Sequence, residues 1–243
     1  MNPIEAVNLD KSLGGVPILK GLNLTIGEGA LYGLLARNGA GKTTLMRSLM
    51  GLYLPDGGDA RVLGADLGQG CPPAKRRVGY VAEGEILPGW ARVADIIAFE
   101  RALRDEWRPA SLDKWIASER LPGRKRVAEL SKGVRKRLEL EVVLAGCPAA
   151  LLLDEPLSGL DPVSRVEFLE SFMAYAADRR PVVLISSHIL TDLERVCDRI
   201  GVMAGGRIAY EETMDGLKER GGRLEDVGVE LIRAHDPREV AHV

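Results

Sequence analysis

The stretch Asn38-Gly39-Ala40-Gly41-Lys42-Thr43-Thr44 decides the fold of this chain of 243 residues. Closely spaced glycines expose backbone N–H groups that bind phosphate oxygens, Lys42 adds a mobile positive charge, and the Thr43 hydroxyl is suited to ligate magnesium. The preceding residues, 29–35, predict a buried strand, and residues 43–52 predict a helix. Phosphate would then meet a helix N-terminus, where backbone dipoles favour negative charge. The stretch therefore predicts a phosphate-binding loop between a strand and a helix.

A second stretch, Leu151-Leu152-Leu153-Asp154-Glu155-Pro156, places two carboxylates directly after an apolar strand. We expect Asp154 to hold magnesium through water, and Glu155 to polarise the water molecule that attacks the γ-phosphate. An Asp-Glu pair in this position can also be an ordinary polar loop, but the phosphate loop upstream favours a functional pair. Together the two stretches predict a site for ATP and Mg²⁺, with hydrolysis as its chemistry.

His188 is a third candidate for this site. It follows the apolar strand predicted at residues 182–185, so its imidazole would lie at the carboxyl edge of the sheet, where α/β folds bind their ligands. There it can hydrogen-bond the γ-phosphate. We interpret the remaining histidines, His235 and His242, as structural residues without a role in the site.

The order of elements predicts an α/β fold with a largely parallel sheet. β-rich segments come first, at residues 4–9, 22–26, 31–35, 61–63 and 78–81. Residues 91–146 have helical periodicity, which predicts an inserted helical subdomain. Apolar strands then alternate with helices, the strands at 150–153, 182–185 and 200–203 and the helices at 162–178 and 189–197. Residues 221–243 show no firm periodicity, and we interpret them as a loosely ordered or partner-dependent tail.

The composition excludes several classes of function. The net charge is −2, and acidic residues elsewhere in the chain balance the charge of the basic runs, so no nucleic-acid partner is expected. Cys71, Cys147 and Cys197 are widely spaced and odd in number, which favours a reducing compartment over a disulfide framework. No charged-then-apolar leader begins the chain, and no apolar run is long enough to span a bilayer. We expect a protein that is neither secreted nor membrane-spanning.

Three further motifs make the chain resemble the ATP-binding subunit of ABC transporters. Leu130-Ser131-Lys132-Gly133 resembles the signature of that family, Ser158-Gly159-Leu160-Asp161 its D-loop, and Ser187-His188 its switch histidine. The match runs from the first strands to about Leu217. The Leu-Ser-Lys-Gly form of the signature, followed by a basic helix, is similar to that of bacterial exporters with a separate membrane subunit.

The resemblance implies a P-loop NTPase (RecA-like) core with an N-terminal antiparallel β subdomain and an inserted α-helical subdomain at 91–146, all within residues 1–220. It also implies that Ser131 and Gly133 close over the nucleotide held by a second copy, so the working enzyme is a homodimer or heterodimer. The nucleotide-binding residues are then Asn38, Gly39, Ala40, Gly41, Lys42, Thr43, Thr44, Ser131, Gly133 and Asp161. The predicted catalytic residues are Glu155 and His188, and the predicted metal ligands are Thr43, Glu83 and Asp154.

Four residues depart from the family pattern. Ala36 replaces the first glycine of the phosphate loop, which would strain the backbone by about 1 kcal/mol at a positive φ. Glu83 replaces a glutamine, and a carboxylate can still ligate magnesium. Leu13 stands where an aromatic residue often stacks on adenine, so GTP is an expected second substrate. Lys132 replaces a glycine, and its ammonium group either adds charge near the γ-phosphate across the dimer or lies in water.

By resemblance, the partners are separate transmembrane subunits, and the chain is peripheral on the cytoplasmic face of the cell membrane. Trp90 follows the segment where the family receives a helix from its membrane partner, and it is either an interface anchor or partly buried core. Two alternatives stay open. One is an ABC-type ATPase that remodels a macromolecular assembly without a membrane partner, and the other is a nucleotide-gated regulatory subunit with little hydrolysis.

Overall fold

A computed structural model describes residues 3–70, 72–84, 87–220 and 224–235. Cys71, His242 and the end of the predicted tail lie outside these ranges. The strands are β1 (Ile4–Leu13), β2 (Val16–Ile26), β3 (Leu31–Leu35), β4 (Gly57–Val62), β5 (Val78–Val81), β6 (Ala150–Leu153), β7 (Val182–Ser187), β8 (Arg199–Ala204) and β9 (Arg207–Thr213). The α-helices are α1 (Lys42–Leu49), α2 (Val93–Leu103), α3 (Ala110–Ser118), α4 (Lys132–Ala145), α5 (Pro162–Arg179), α6 (Leu190–Glu194), α7 (Met214–Glu219) and α8 (Leu224–His235).

The larger sheet has the strand order β5-β6-β7-β3-β8-β9. All neighbouring pairs are parallel except β8 with β9, which confirms the largely parallel sheet. The sequence analysis did not predict β9. Its residues alternate between half-buried and exposed, so no apolar run marks the strand in the sequence.

The smaller sheet is antiparallel, with the order β2-β1-β4. Its first two strands are longer than predicted because they continue into a hairpin around Gly14 and Gly15. Both glycines have positive φ, 57° and 80°, as a two-residue hairpin turn with the twist of its strands requires. A Gly-Gly pair between two apolar runs is the sequence signal for this turn.

Successive residues of the central strands face two different cores. In β7, Val183 and Ile185 pack with helices α4 and α5, whereas Val182 and Leu184 pack with α1 and the smaller sheet. This alternation follows from the period of two in a strand, and burial on both faces is typical of parallel sheets. The loops at the carboxyl ends of these strands therefore emerge from a scaffold that is packed on both sides.

The block at 91–146 has a hydrophobic cluster of its own, which includes Trp115. Helix α4 joins this cluster to the core beneath the sheet, because its apolar residues are divided between the two. The helical periodicity of this block predicts one apolar stripe of Ile96, Ile97, Phe99 and Leu103 along α2, and this prediction is partly wrong. Ile96 is buried, but Phe99 and Leu103 are exposed, because the buried residues of α2 all lie in its first turn. The α/β class with an antiparallel subdomain and inserted helices is confirmed.

Part of the segment interpreted as a loosely ordered tail is a helix. In α8, Val227 and Leu231 are buried against the core beneath the sheet, and Ile232 packs beside them. Val227 and Leu231 are four positions apart, which places them on one face of a helix. The sequence does not show this face plainly, because a glycine, an apolar residue and a charged residue lie between them at 228–230. The division of the chain at residue 220 stays a prediction.

Candidate functional site

The predicted site residues meet at one edge of the larger sheet. Strands β6, β7 and β3 are neighbours and run in the same direction, so the segments after Leu153, Ser187 and Leu35 emerge side by side. The backbone N–H of Ala36 donates to the carbonyl of Ser187 across 3.2 Å, which ties the start of the phosphate loop to the end of β7. This edge is where an open α/β sheet binds its ligands.

Glycine is required in the phosphate loop for its backbone conformation, and the space around Gly41 is also tight. Gly39 and Gly41 have φ of 79° and 109°, and Gly41 precedes the first residue of α1. A Cβ atom on Gly41 would lie 2.9 Å from Met203 Cε, closer than real side chains approach. Ala36 is fully buried and is not among the residues with positive φ, so the strain considered for this substitution does not arise.

Glu155 lies between a lysine and a histidine. Its Oε1 is 2.9 Å from Lys42 Nζ, and its Oε2 is 3.0 Å from His188 Nδ1. Lys42 Nζ also donates to the carbonyl oxygen of Ala36 at 2.9 Å. The Glu155 side chain is only 4% exposed, and its φ of 44° places the backbone in the left-handed region. Backbone strain of this kind clusters at functional sites.

Asp154 is fully buried beside this group, and burial raises the pKa of its carboxyl group. Its Oδ1 accepts a hydrogen bond from Ser186 Oγ at 2.8 Å, and that hydroxyl accepts the backbone N–H of Glu155 at 2.9 Å. Ser186 was not predicted from the sequence, although a serine at the end of a buried apolar strand is a signal for a residue that supports a site at the sheet edge. Asp154 Oδ2 has no hydrogen bond of good geometry among the described residues.

The three predicted metal ligands lie close together. Thr43 Oγ1 is 3.4 Å from Glu83 Oε2, and both the Thr43 hydroxyl and the Glu83 charge act on the pKa of Asp154. The described residues include no group of three or more His, Cys, Asp or Glu side chains suited to a metal ion. Magnesium at nucleotide sites is held by one or two carboxylates together with phosphate oxygens. The Thr43 hydroxyl and the carboxylates of Glu83 and Asp154 fit that ion, and the orphan Oδ2 of Asp154 is the buried oxygen that it would satisfy.

The signature and D-loop residues have structural roles within the chain. Ser131 caps α4, because its Oγ accepts the N–H of Val134 at 3.3 Å, a role for which serine is favoured at the start of a helix. Asp161 caps α5 with Oδ1 and accepts the Ser164 hydroxyl with Oδ2, and these hydrogen bonds lower the pKa of Asp161. A Cβ atom on Gly133 would lie 2.3 Å from Ser164 Oγ. The signature and the D-loop therefore pack against each other.

Lys132 lies against the D-loop of its own chain. A Cβ atom on Gly159 would lie 2.0 Å from Lys132 Nζ, so the ammonium group covers that glycine. Lys132 is nevertheless exposed, which agrees with its interpretation as a solvated lysine, and a contribution of its charge to the γ-phosphate held by a second copy stays a prediction. Gly159 has a φ of 68° and leaves the space that the lysine occupies.

Two clefts flank the phosphate loop region. The first, called the carboxylate cleft, has a volume of about 200 Å³ and is lined by residues that include Glu83, Lys132, Lys136, Glu139 and Glu155. The second, called the apolar cleft, has a volume of about 330 Å³ and is lined by residues that include Val16, Pro17, Ile18, Gly39 and Ile232. The phosphate loop lies between one cleft with carboxylates and another with apolar walls.

A parallel sheet with a glycine-rich loop, a lysine and a buried Asp-Glu pair at one edge defines a nucleoside-triphosphate hydrolase of the P-loop class. The family model described as ABC transporter matches residues 19–158. The daunorubicin resistance ATP-binding protein DrrA2 of Streptomyces coeruleorubidus is 37% identical over 98% of this chain and 75% of its own length. An uncharacterized ABC transporter ATP-binding protein of Nostoc sp. is 35% identical to this chain. The matched region covers 82% of this chain and 61% of that relative.

The solved structure described as an ATP-binding subunit of an ABC transporter has a TM-score of 0.82 and 25% identity, over 94% of this chain and 98% of that one. The chain belongs to the ABC transporter family, and it is an ATP-binding protein with ATP hydrolase activity. None of its described helices has the length and apolar character needed to cross a membrane.

Proposed function

We propose that this chain is the motor subunit of a transporter, in which two ATP-binding subunits close around two ATP molecules and drive separate membrane-spanning subunits. The observation that carries the proposal is the position of Glu155, held between Lys42 and His188 beside the buried Asp154. A buried carboxylate with a cation, a histidine and a second carboxylate around it is suited to activate water next to phosphate.

Each residue of this group has a separate role in hydrolysis. The N–H groups of the phosphate loop and Lys42 bind phosphate oxygens, and Glu155 accepts a proton from the attacking water. His188 orients Glu155 by donating from Nδ1, and when it is protonated on both ring nitrogens it also donates from Nε2 to the γ-phosphate. Thr43, Glu83 and Asp154 would hold magnesium, which supplies positive charge that offsets the charge of the phosphates.

The apolar cleft is suited to the nucleoside. It lies on the side of the phosphate loop where Val16, Pro17 and Ile18 of β2 provide aliphatic walls, opposite Ile232 of α8. Leu13, the residue first considered for this contact, is 37% exposed at the end of the hairpin. Aliphatic walls contact a base without stacking or reading its hydrogen-bonding edge, so we expect both ATP and GTP to bind.

The exposed face near Trp90 is the proposed contact for a membrane subunit. Its indole is 78% exposed, which is unusual for a side chain of this size and favours an interface anchor over the core interpretation. This contact would hold the chain on the cytoplasmic face of the membrane. A Trp90→Cys variant tests it, since mild crosslinking in membranes should capture a transmembrane subunit, and capture of none contradicts the transporter role.

The first experiment is steady-state phosphate release with MgATP over a range of protein concentrations. We expect the rate to rise faster than linearly with protein, because a dimer completes the site, and to collapse in Glu155→Gln. Glu167→Gln, at an exposed position on α5, is the matched control and should behave as wild type. A Glu155→Gln protein that hydrolyses ATP at the wild-type rate would overturn the proposed mechanism.

A further inference from the structure

A buried ion pair on α4 holds the segment that carries Glu83. Glu139 Oε1 accepts the backbone N–H of Ala82 at 3.1 Å, and Lys136 Nζ donates to the carbonyl oxygen of the same residue. The two side chains also form an ion pair, with Lys136 Nζ 3.2 Å from Glu139 Oε2, and they are 9% and 5% exposed. Both polar backbone groups of a single residue are therefore held by one charged pair.

The position of Ala82 explains why it needs partners. Strand β5 ends at Val81, whose carbonyl accepts the N–H of Asp154 at 2.8 Å, and β6 has already ended at Leu153. Ala82 is buried just past the last pair of strand residues, and a buried backbone group without a partner is costly. Neutral amide side chains could supply the same donor and acceptor, so satisfying these groups does not by itself require two buried charges.

We propose that Lys136 and Glu139 are positioning residues that fix Glu83 at the metal site and connect its position to α4. Glu83 follows Ala82 directly, lies 3.4 Å from Thr43, and precedes Gly84, where the chain turns with a φ of 84°. Lys136 lies about one helical turn after Ser131, the cap of α4. A movement of the signature end of α4 is thereby transmitted to the predicted metal ligand. This inference rests on the proposed role of Glu83.

The test replaces the pair by apolar residues, in the double variant Lys136→Met/Glu139→Leu. We expect the unfolding temperature to fall, because the buried N–H and carbonyl groups of Ala82 lose their partners, although no unpaired charge is left behind. Loss of a residue that orients a metal ligand lowers metal affinity by about 10- to 100-fold, so we expect half-saturating Mg²⁺ in ATP hydrolysis to rise by about that factor. The affinity for ATP in EDTA should stay unchanged, which a general loss of structure would not allow.

A second buried pair on the same helix provides the matched control. Arg137 Nε lies 2.8 Å from Glu141 Oε1, and that carboxylate contacts Ser171 and Ser111 rather than the segment at Ala82. We expect Arg137→Met/Glu141→Leu to leave half-saturating Mg²⁺ unchanged. An equal shift in both double variants, or no shift in Lys136→Met/Glu139→Leu, would overturn the inference.

Two further variants separate the possible failures. Lys136→Met/Glu139→Gln removes the donor to the Ala82 carbonyl but keeps an acceptor for its N–H and leaves no unpaired buried charge, so it should shift the Mg²⁺ requirement in the same direction even if the first double variant does not fold. Glu83→Ala should shift it at least as far. If Glu83→Ala shifts the requirement and the pair variants do not, the inference is wrong and the proposed metal site stands. If Glu83→Ala does not change the Mg²⁺ requirement, Glu83 is not a magnesium ligand, and the inference about Lys136 and Glu139 is wrong as well.

Discussion

Lys42 Nζ lies 2.9 Å from Glu155 Oε1, with both side chains almost fully buried. The cation expected to bind phosphate and the carboxylate expected to activate water therefore neutralise each other within the chain. Each is costly to bury alone, so each stabilises the other until a different partner replaces it. In the proposed mechanism phosphate is such a partner for Lys42, and its arrival would release the Glu155 carboxylate to act as a base.

This pairing predicts that Glu155→Gln binds ATP more tightly than wild type. The amide keeps the shape of the side chain but no longer competes with phosphate for the charge of Lys42. Removal of this competition should raise the affinity for ATP about tenfold, which corresponds to about 1.4 kcal/mol. Titration calorimetry with ATP in EDTA measures this effect without hydrolysis. Equal affinity in Glu155→Gln and wild type would show that the pair does not restrain Lys42.

Asp154→Asn should stabilise the fold at neutral pH. Burial raises the pKa of Asp154 above that of the unfolded chain, so its ionised form opposes folding at any pH above the raised value. This cost in folding free energy decreases as the pH falls through the pKa that Asp154 has in the folded chain. It is absent below the pKa that Asp154 has in the unfolded chain. The asparagine keeps an acceptor for Ser186 Oγ. We therefore expect a higher Tm than wild type at about pH 8, and a difference that shrinks towards about pH 4.

Asp161→Asn is the matched control for that series, because hydrogen bonds from Ser164 and Val163 lower the pKa of Asp161. The ionised carboxylate of Asp161 therefore affects stability in the opposite direction to that of Asp154. The Asp161 carboxylate stabilises the fold above its unfolded pKa, and that contribution is lost as the pH falls through the folded value. Asparagine is also a good helix cap, so only a small loss of stability is expected at neutral pH. A Tm for Asp154→Asn below that of wild type at neutral pH would contradict the role of burial.

The residues that the sequence analysis identified are those whose neighbours in sequence reveal their position. The apolar run 150–153 is bounded by polar residues and matches β6, so Asp154 and Glu155 could be placed at the sheet edge from the sequence. The phosphate loop and His188 follow in the same way, since each comes directly after an apolar strand. Parallel strands then bring these ends together without further information.

The residues that escaped prediction depend on contacts distant in sequence. Lys136 and Glu139 lie in a helix rich in charges, where such residues usually face water, and only the position of Ala82 more than fifty residues earlier explains their burial. Lys132 lies against Gly159, which no local pattern indicates. Helix α8 has a short apolar face that means little until the core it covers is known. Local pattern therefore predicts where the site is, and tertiary packing decides which side chains support it.

Gly133→Ala should destabilise the fold, because the new Cβ atom would lie 2.3 Å from Ser164 Oγ. The double variant Gly133→Ala/Ser164→Gly removes the collision, so we expect thermal unfolding close to that of Ser164→Gly alone. We expect ATPase activity to stay lost in the double variant, because Gly133 is also proposed to approach the phosphate held by a second copy. Full recovery of activity would show that Gly133 serves packing within its own chain and not the dimer.

Ile232 gives a test of the apolar cleft as the nucleoside site. Its side chain forms the α8 wall of that cleft, and Ile232→Ala removes apolar contact with the nucleoside while leaving the phosphate loop intact. Partial loss of this contact corresponds to about 1 kcal/mol, or about a fivefold weaker affinity for ATP. Inorganic tripolyphosphate, which has no nucleoside, should bind Ile232→Ala and wild type equally. Val229→Ala, on the exposed face of the same helix, is the control and should change neither affinity. An equal loss of ATP and tripolyphosphate binding would place the effect of Ile232 in the phosphate loop, and unchanged ATP binding would exclude α8 from the nucleotide site.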